Sequence, residues 1–392
     1  MDDVHRELHK QYGPLVRIQP GEIICSGPNA IEIIYGSGSR FKKAWRLSHA
    51  INYPGHVVTR NALQKYLVKN VYAMDSILDI ESIINKHIQE PMFRNDTSTL
   101  YQGKMDLWYL LKTHVYMVLC EMLYGYRFNA VLQLGGLEWW LGAVESLLPS
   151  LTADGALPRD YLAKFYEFWD SFDTFRRLLT AILGCESGCT PEYVQKELLA
   201  ALFGGTEPTN LTLTSTLYHL MRNPDIYQRL TTEIDAAYAE RDPKTPISYN
   251  EACALPYLKA CIQEAMRLHP AVGYHLPRVV PRAEQLSLYD KYVFGADADI
   301  FNPDRWLRGN DNGNVEQMEK VMLALGAGDT ACPGKKVATC LVYKLIPHLL
   351  RNFEVRLTGE KEPVKKIYWF TLLRDVDVAF KKRDVKPKVR LE

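Results

Sequence analysis

The sequence predicts a mainly α-helical protein with a small β part. Three observations carry that prediction. Long stretches such as ALQKYLVKNVYAMDSILDIESIINKHI place apolar residues three and four apart. Several of these stretches carry helix start and stop signals. Strand-type patterning is limited to short runs near the two ends of the chain.

Taken in order, MDDVHRELHKQYGP reads as an amphipathic helix. LVRIQPGEIICSG, from Leu15 to Gly27, gives two short strands around a Pro-Gly turn, and NAIEIIYG follows as a helix. Residues from about 57 to 125 read as almost wholly helical, and a further helical region spans Gly135 to Leu183. A long helix opens at TPEYVQKELL. Thr190 caps it, Pro191 suits its first turn, and Glu192 suits its positive end. It runs through AALFGGTEPTNLTLTSTLYHLMRN and stops before Pro224. PDIYQRLTTEIDAAYAE opens the next helix, and YNEACALPYLKACIQEAMRLHP gives two more, the second ending at Pro270. Residues 271 to about 315 read as mostly irregular. The last helix follows Cys332 and reaches Phe353, leaving KIYWFTLL and VDVAFKKR as strands. With no repeat, low-complexity tract or linker, residues 1–392 are expected to form one domain.

Charge and cysteine usage narrow the function. The chain has 47 basic and 46 acidic residues, and the basic ones are scattered, which excludes nucleic acid as a partner. The hydrophobic share of 47% supplies a sizeable core. Eight cysteines are far too few for a disulfide scaffold, and most lie in apolar helical stretches, so they read as reduced core residues. Cys185 and Cys189 lack a second ligand pair at zinc spacing and read as a loop. No apolar run of about 18 residues or more and no signal peptide are present.

Three motifs remain. LGAGDTACPGKK sets Cys332 in a glycine-rich turn before a helix, where backbone N–H groups and the helix end favour a thiolate. Alone, the turn fits a redox cysteine, a nucleophile, a metal ligand or a small buried hydrophobe. In EAMR, Glu264 and Arg267 share a helix face and can pair. In FNPDRWL, Arg305 follows a proline turn and precedes Trp306.

Together and in this order, the three resemble the cytochrome P450 superfamily of haem-thiolate enzymes. That family carries a Glu-x-x-Arg helix, a Pro-x-Arg-Phe/Trp-like segment and a turn of the form Phe-x-x-Gly-x-Arg-x-Cys-x-Gly. Here the turn reads Leu325, Gly328, Thr330, Cys332, Gly334. The tail CPGKKVATCLVYKLIPHLLRNFEVRL resembles the family's proximal helix in its fungal branch. YGPLVRIQPGEI and NPDIYQRLTTEID match as well, so the resemblance covers almost the whole chain.

The resemblance implies haem b, iron protoporphyrin IX, held between a long distal helix and the proximal Cys-loop helix. Cys332 is then the thiolate ligand of the iron, with Gly328 and Gly334 shaping its turn. Glu264, Arg267 and Arg305 form a buried structural triad. Arg278 in LPRVVP partners a haem propionate; Arg60 in VVTRNALQKY does so too or is a solvated helix charge. The activity implied is a monooxygenase acting on a lipophilic small molecule in fungal natural-product (secondary-metabolite) biosynthesis. Electrons come from NADPH through a partner reductase that docks near Lys335, Lys336 and Lys344. A monomer at the cytoplasmic face of the endoplasmic reticulum membrane is expected, tethered by an N-terminal anchor that this chain does not include. Pocket walls are expected at Ala201, Phe203, Gly204, Gly205 and Pro208, at Val272, Gly273, Tyr274 and His275, and at Trp369 and Phe370. The region of Trp139 and Trp140 is a fourth candidate wall, read more simply as ordinary core, and His275 reads as an acid, a donor or a structural residue.

This chain departs from the family pattern in three places. The family's Arg or His two residues before the cysteine is Thr330, preceded by Asp329, and its phenylalanine is Leu325; a hydroxyl cannot form an arginine's charged fork. The distal motif, Ala/Gly-Gly-x-Asp/Glu-Thr-Thr/Ser, here reads Gly204-Gly205-Thr206-Glu207-Pro208-Thr209. Proline replaces the proton-relaying threonine, so the Gly204 carbonyl loses its helical partner and a kink is expected. Glu207 and Thr209 remain as candidate catalytic groups, Thr209 about 100° further round the helix. This supports a rival reading: an oxygen-independent dehydration, rearrangement or cyclisation using Glu207 and His275 as acid or base. A non-enzymatic haem binder or haem-free relic ranks third. Finally, only RAEQLSLYDKY separates LPRVVP from FGADADIFNPDRW, where the family supplies strands and a helix, so internal loops are expected to be missing from the chain.

Overall fold

The computed structural model describes residues 2–13, 15–19, 22–25, 34–35, 42–43, 77–89, 105–124, 191–239, 245–272, 278–279, 291–307, 315–327, 331–359, 361–367 and 370–384. The expected helices at 57–76 and 135–183 lie outside them.

Helix α1 (Asp2–Tyr12) leads into an antiparallel hairpin of β1 (Leu15–Gln19) and β2 (Glu22–Cys25), as the Pro-Gly turn predicts. Strand β3 (Lys42–Lys43) comes next in the chain. Helix α2 (Ile77–Ile88) is followed by the two-residue strand β4 (Met105–Asp106), which interrupts the expected helical region, and by α3 (Leu107–Tyr124). Asp106 accepts from the N–H of Trp108 at 2.9 Å, which starts α3 with an orphan donor satisfied.

The long helix is α4 (Pro191–Arg222), which stops before Pro224 as read from the sequence, one residue short of Asn223, the N-cap of the next helix. It is assigned without a break through Pro208. One missing N–H does not end the helix because the flanking turns are held: Asn210 Nδ2 donates to the Trp108 carbonyl on α3 at 3.1 Å. The helix is unusually rich in hydroxyls, and most are turned back onto it. Thr206 donates to Leu202 O at 2.7 Å, Thr212 to Pro208 O at 3.0 Å and Thr216 to Thr212 O at 2.7 Å. Such back-bonding lets polar residues sit in a core without stranded donors. Leu202, Leu211, Leu213, Leu217 and Leu220 fill the remaining contacts, wholly buried.

Helix α5 (Pro224–Ala237) has proline in its first turn, and α6 (Tyr249–Cys253) opens on a reciprocal capping box of Ser248 and Glu251. Helix α7 (Pro256–Leu268) is capped from outside, since the Glu233 carboxylate accepts from Tyr257 N and Leu258 N at 2.9 Å each. Strand β5 (Arg278–Val279) pairs with β3. Short helices α8 (Lys291–Phe294) and α9 (Val315–Val321) bracket a 3-10 turn at Pro303–Trp306. Helix α10 (Lys335–Asn352) follows Cys332 as expected.

The C-terminal strands differ from the sequence reading in two ways. FEVRL forms β6 (Phe353–Leu357) rather than simply trailing the last helix. KIYWFTLL is not one strand but the two arms of a hairpin, β7 (Val364–Ile367) and β8 (Thr371–Arg374). The strand β9 (Asp377–Lys382) matches its prediction and sits between β4 and β6 in a three-stranded sheet. The hairpin is pinned to the end of α7 by a bridge between Val272 and Phe370 and by Thr371 N donating to Ala271 O at 2.9 Å. One large apolar cluster joins α2, α3, α4, α7, α10 and the sheet, and a smaller one gathers Ala260, Phe294, Trp306 and Met318.

Candidate active site

Between α4 and the start of α10 lies a cavity of about 730 Å³. Its distal wall is α4, through Ala201, Gly204, Gly205, Pro208, Thr209 and Thr212. Leu119, Met122 and Leu123 of α3, with Val272 and Phe370, extend that wall. The opposite wall is Leu325, Gly326, Cys332, Pro333 and Gly334, continued by Val337 and Ala338 of α10. Cys332 N donates to Leu325 O at 2.8 Å, so Leu325 closes the turn from the phenylalanine position.

The Cys332 side chain is accessible from this cavity although protein packs closely around it. The turn and helix end predict a lowered pKa. Instead burial pushes the thiol up, and the Gly334 N–H and Lys335, which pull it down, do not compensate. Such a sulfur stays protonated at neutral pH until a cation displaces the proton. A single soft sulfur facing a large, mostly apolar cavity fits a metal that arrives inside an organic ring. Among the described residues no cluster of three or more His, Cys, Asp or Glu could hold a bare metal ion.

Beneath the cavity the triad is assembled as the resemblance implies. Arg267 donates to both Glu264 oxygens, at 2.9 and 2.8 Å, and Arg305 Nε donates to Glu264 Oε1 at 3.0 Å. Trp306 Nε1 and the Asn302 N–H complete the carboxylate's shell at 2.8 and 3.0 Å. Arg267 also donates to Ala298 O at 2.6 Å, and Arg305 to Phe294 O. Burial works against Asp297, but bonds from Asn302 and Arg305 hold its carboxyl below the usual range. All three triad members are buried, so their charges stand only as a fully bonded set.

Other expected residues sit differently. Glu207 does not line the cavity. It is wholly buried with its Oε1 2.7 Å from Lys112 Nζ on α3, close enough for full ionic attraction although not aligned as a hydrogen bond. Thr209, by contrast, does line the cavity. Phe203 lies behind the wall, its ring 5.2 Å from that of Phe370. Gly205 is a packing glycine, since a Cβ there would come within 2.9 Å of Leu119 Cδ1, whereas one at Gly204 would meet nothing within 4 Å. Lys344, expected on a docking surface, is wholly buried and bonds Glu81 at 2.7 Å and the Ile247 carbonyl. Arg278 pairs with Lys43 through the backbone. Arg60, Gly328, Thr330, Tyr274, His275, Trp369, Trp139 and Trp140 lie outside the described residues. Sequence reasoning missed the α3 wall, because an apolar helix does not announce which of its residues faces a cavity.

The sequence profile of "Cytochrome P450" matches residues 170–287 and 284–376. The chain belongs to the cytochrome P450 family. It is 30% identical to "Cytochrome P450 monooxygenase gsfF" of Penicillium aethiopicum, over 91% of this chain and 83% of that protein. It is 26% identical to "Cytochrome P450 monooxygenase cicH" of Emericella nidulans, over 97% of this chain and 88% of that one. A zebra fish cytochrome P450 solved with progesterone shares the fold at a TM-score of 0.77 and 16% identity, covering 96% of this chain and 98% of its own. The protein is thus a haem enzyme of the P450 monooxygenase type, with fungal relatives.

Proposed function

We propose that this protein inserts one oxygen atom into a lipophilic small molecule in fungal natural-product biosynthesis. The observation that supports it best is the Cys332 sulfur opening into a large apolar cavity closed on the far side by α4. Haem held there supplies reductive activation of dioxygen. Cys332 holds the group from below, and Glu264, Arg267 and Arg305 keep the segment beneath it rigid. Arg278 and Arg60 are the proposed propionate partners, with Thr330 offering a single hydroxyl bond and Gly328 and Gly334 shaping the turn. Val272, Phe370, Gly204, Gly205 and Pro208 bind and orient the substrate, together with Tyr274, His275 and Trp369, and Phe203 backs Phe370 from behind the wall. Thr209 holds a proton at its hydroxyl on the cavity wall. Electrons come from NADPH through a cytochrome reductase drawn to Lys335 and Lys336. The chain acts as a single-domain monomer at the endoplasmic reticulum membrane. Among the described residues no helix is long and apolar enough to cross it.

The rival, an oxygen-independent rearrangement or dehydration, draws on Pro208. It is weakened because Glu207, its proposed acid or base, is turned toward Lys112. The test is turnover of a lipophilic substrate with and without NADPH and reductase, beside Cys332→Ser. The expected result is dependence on both, and loss in the variant of the thiolate-type Soret band of the reduced carbon monoxide complex. Unchanged turnover without NADPH and reductase would overturn the monooxygenase reading.

A further inference from the structure

In an α-helix the carbonyl of one residue accepts from the N–H four residues on. For Gly204 that residue is Pro208, which has no N–H and whose ring presses against the earlier carbonyl. Both residues line the cavity, so the carbonyl that runs from one toward the other lies along its wall. The Pro208 ring borders this carbonyl on one side, and beside it the space where a Gly204 Cβ would stand is open for 4 Å. The next residue, Thr209, also lines the cavity. Thr206, Thr212 and Thr216 turn their hydroxyls onto their own helix. No corresponding bond is found for Thr209 among the described residues. Around these two groups the wall is apolar, with Leu119, Leu123, Val272 and Phe370.

An acceptor without its donor, set in apolar surroundings, is costly to leave bare. Water in this cavity is the weak alternative, because an apolar ligand displaces it. We propose that the Gly204 carbonyl and the Thr209 hydroxyl form an acceptor-led strip that selects lipophilic ligands carrying a hydroxyl or N–H donor, and that Pro208 creates this preference. The inference rests on the reading of the cavity as the substrate chamber, and not on NADPH, oxygen or the reaction performed there. Pro208 is here a specificity-determining residue, which acts by freeing the carbonyl rather than by touching the donor.

The experiment is calorimetric titration of the haem-loaded protein with 4-phenylphenol and with its methyl ether, 4-methoxybiphenyl, which cannot donate. The phenol is expected to bind about three- to tenfold more tightly, the range of one neutral hydrogen bond. Pro208→Ala returns an N–H to the helix, re-engages the carbonyl and should bring the ratio close to one. Thr209→Val keeps the side-chain shape and should lower the ratio only in part. Should Pro208→Ala not fold, the parent protein and Thr209→Val still decide the matter through the same ratio. Equal or weaker binding of the phenol by the parent overturns the proposal, as does an unchanged ratio in a folded Pro208→Ala protein, or failure of both compounds to bind. Loss of the monooxygenase reading alone would show as turnover independent of NADPH, with the binding ratio intact.

Discussion

The Lys112–Glu207 pair is where sequence analogy and packing disagree most, and it makes a quantitative prediction. Both side chains are buried, with relative exposures of 0% and 1%. Replacing either with an apolar residue takes away the buried counter-ion that stands 2.7 Å from the other, a change that costs about 3–5 kcal/mol. A chain of 392 residues unfolds with an entropy of about 0.8 kcal/mol/K at the usual per-residue value, so the expected fall in Tm is about 4–6 °C. Glu207→Ala and Lys112→Met should each show it in scanning calorimetry of haem-loaded protein. The double variant Lys112→Met/Glu207→Leu removes both charges and should lie within about 1–2 °C of the parent, since well-packed apolar replacements of buried pairs are often neutral. The carbon monoxide spectrum checks that the haem site survives in each. If the two single losses simply add in the double variant, the pair is not coupled. If Glu207→Ala leaves Tm unchanged while abolishing product formation, its carboxylate serves the reaction and not Lys112.

Three further outcomes follow from the same structure. Glu264→Ala removes the buried carboxylate that Arg267 and Arg305 share, although Arg305 keeps Asp297, and should cost about 3–5 kcal/mol; retention of haem and parental Tm in that variant would refute the triad's role. Burial lowers His114 to about 3, His219 to about 4, His269 to about 3 and His348 to about 4 from an ordinary 6.5. Each is neutral when folded and takes up a proton on unfolding, so stability is complete above about pH 6.5 and falls as pH drops from there toward about 3. A thermal midpoint that stays flat from about pH 7 down to pH 5 would contradict these burials. Lys335 is exposed and Lys344 buried. Reversal of charge by Lys335→Glu should therefore raise the apparent KM for reductase with Tm unchanged, while Lys344→Glu faces Glu81 and should prevent stable folding. Equal behaviour of the two variants in both assays would undo that distinction.

Much of this protein is legible in its sequence because local chemistry specifies it. Proline at 191, 224 and 256 marks the first turns of three helices, and apolar residues at helical spacing mark the helices themselves. The Cys332 turn and the Glu264–Arg267 pair are also local, requiring only neighbours within a few residues. Adding Arg305 and Trp306 needed the family resemblance, since some 40 residues separate them from Glu264.

Tertiary structure decided the rest. FEVRL became a strand because β9 offers it an edge, and KIYWFTLL folded into a hairpin pinned at Ala271 and Val272. Lys344 sits on an amphipathic helix in the sequence, yet Glu81 and the Ile247 carbonyl draw it inward across α2 and the loop before α6. Glu207 and Thr209 are two residues apart on one helix, yet one meets Lys112 of α3 and the other meets the cavity. A sequence states which faces a helix has. Only the partners that pack on those faces, here about a hundred residues away in the chain, determine whether a carboxylate looks toward a counter-ion or toward a substrate.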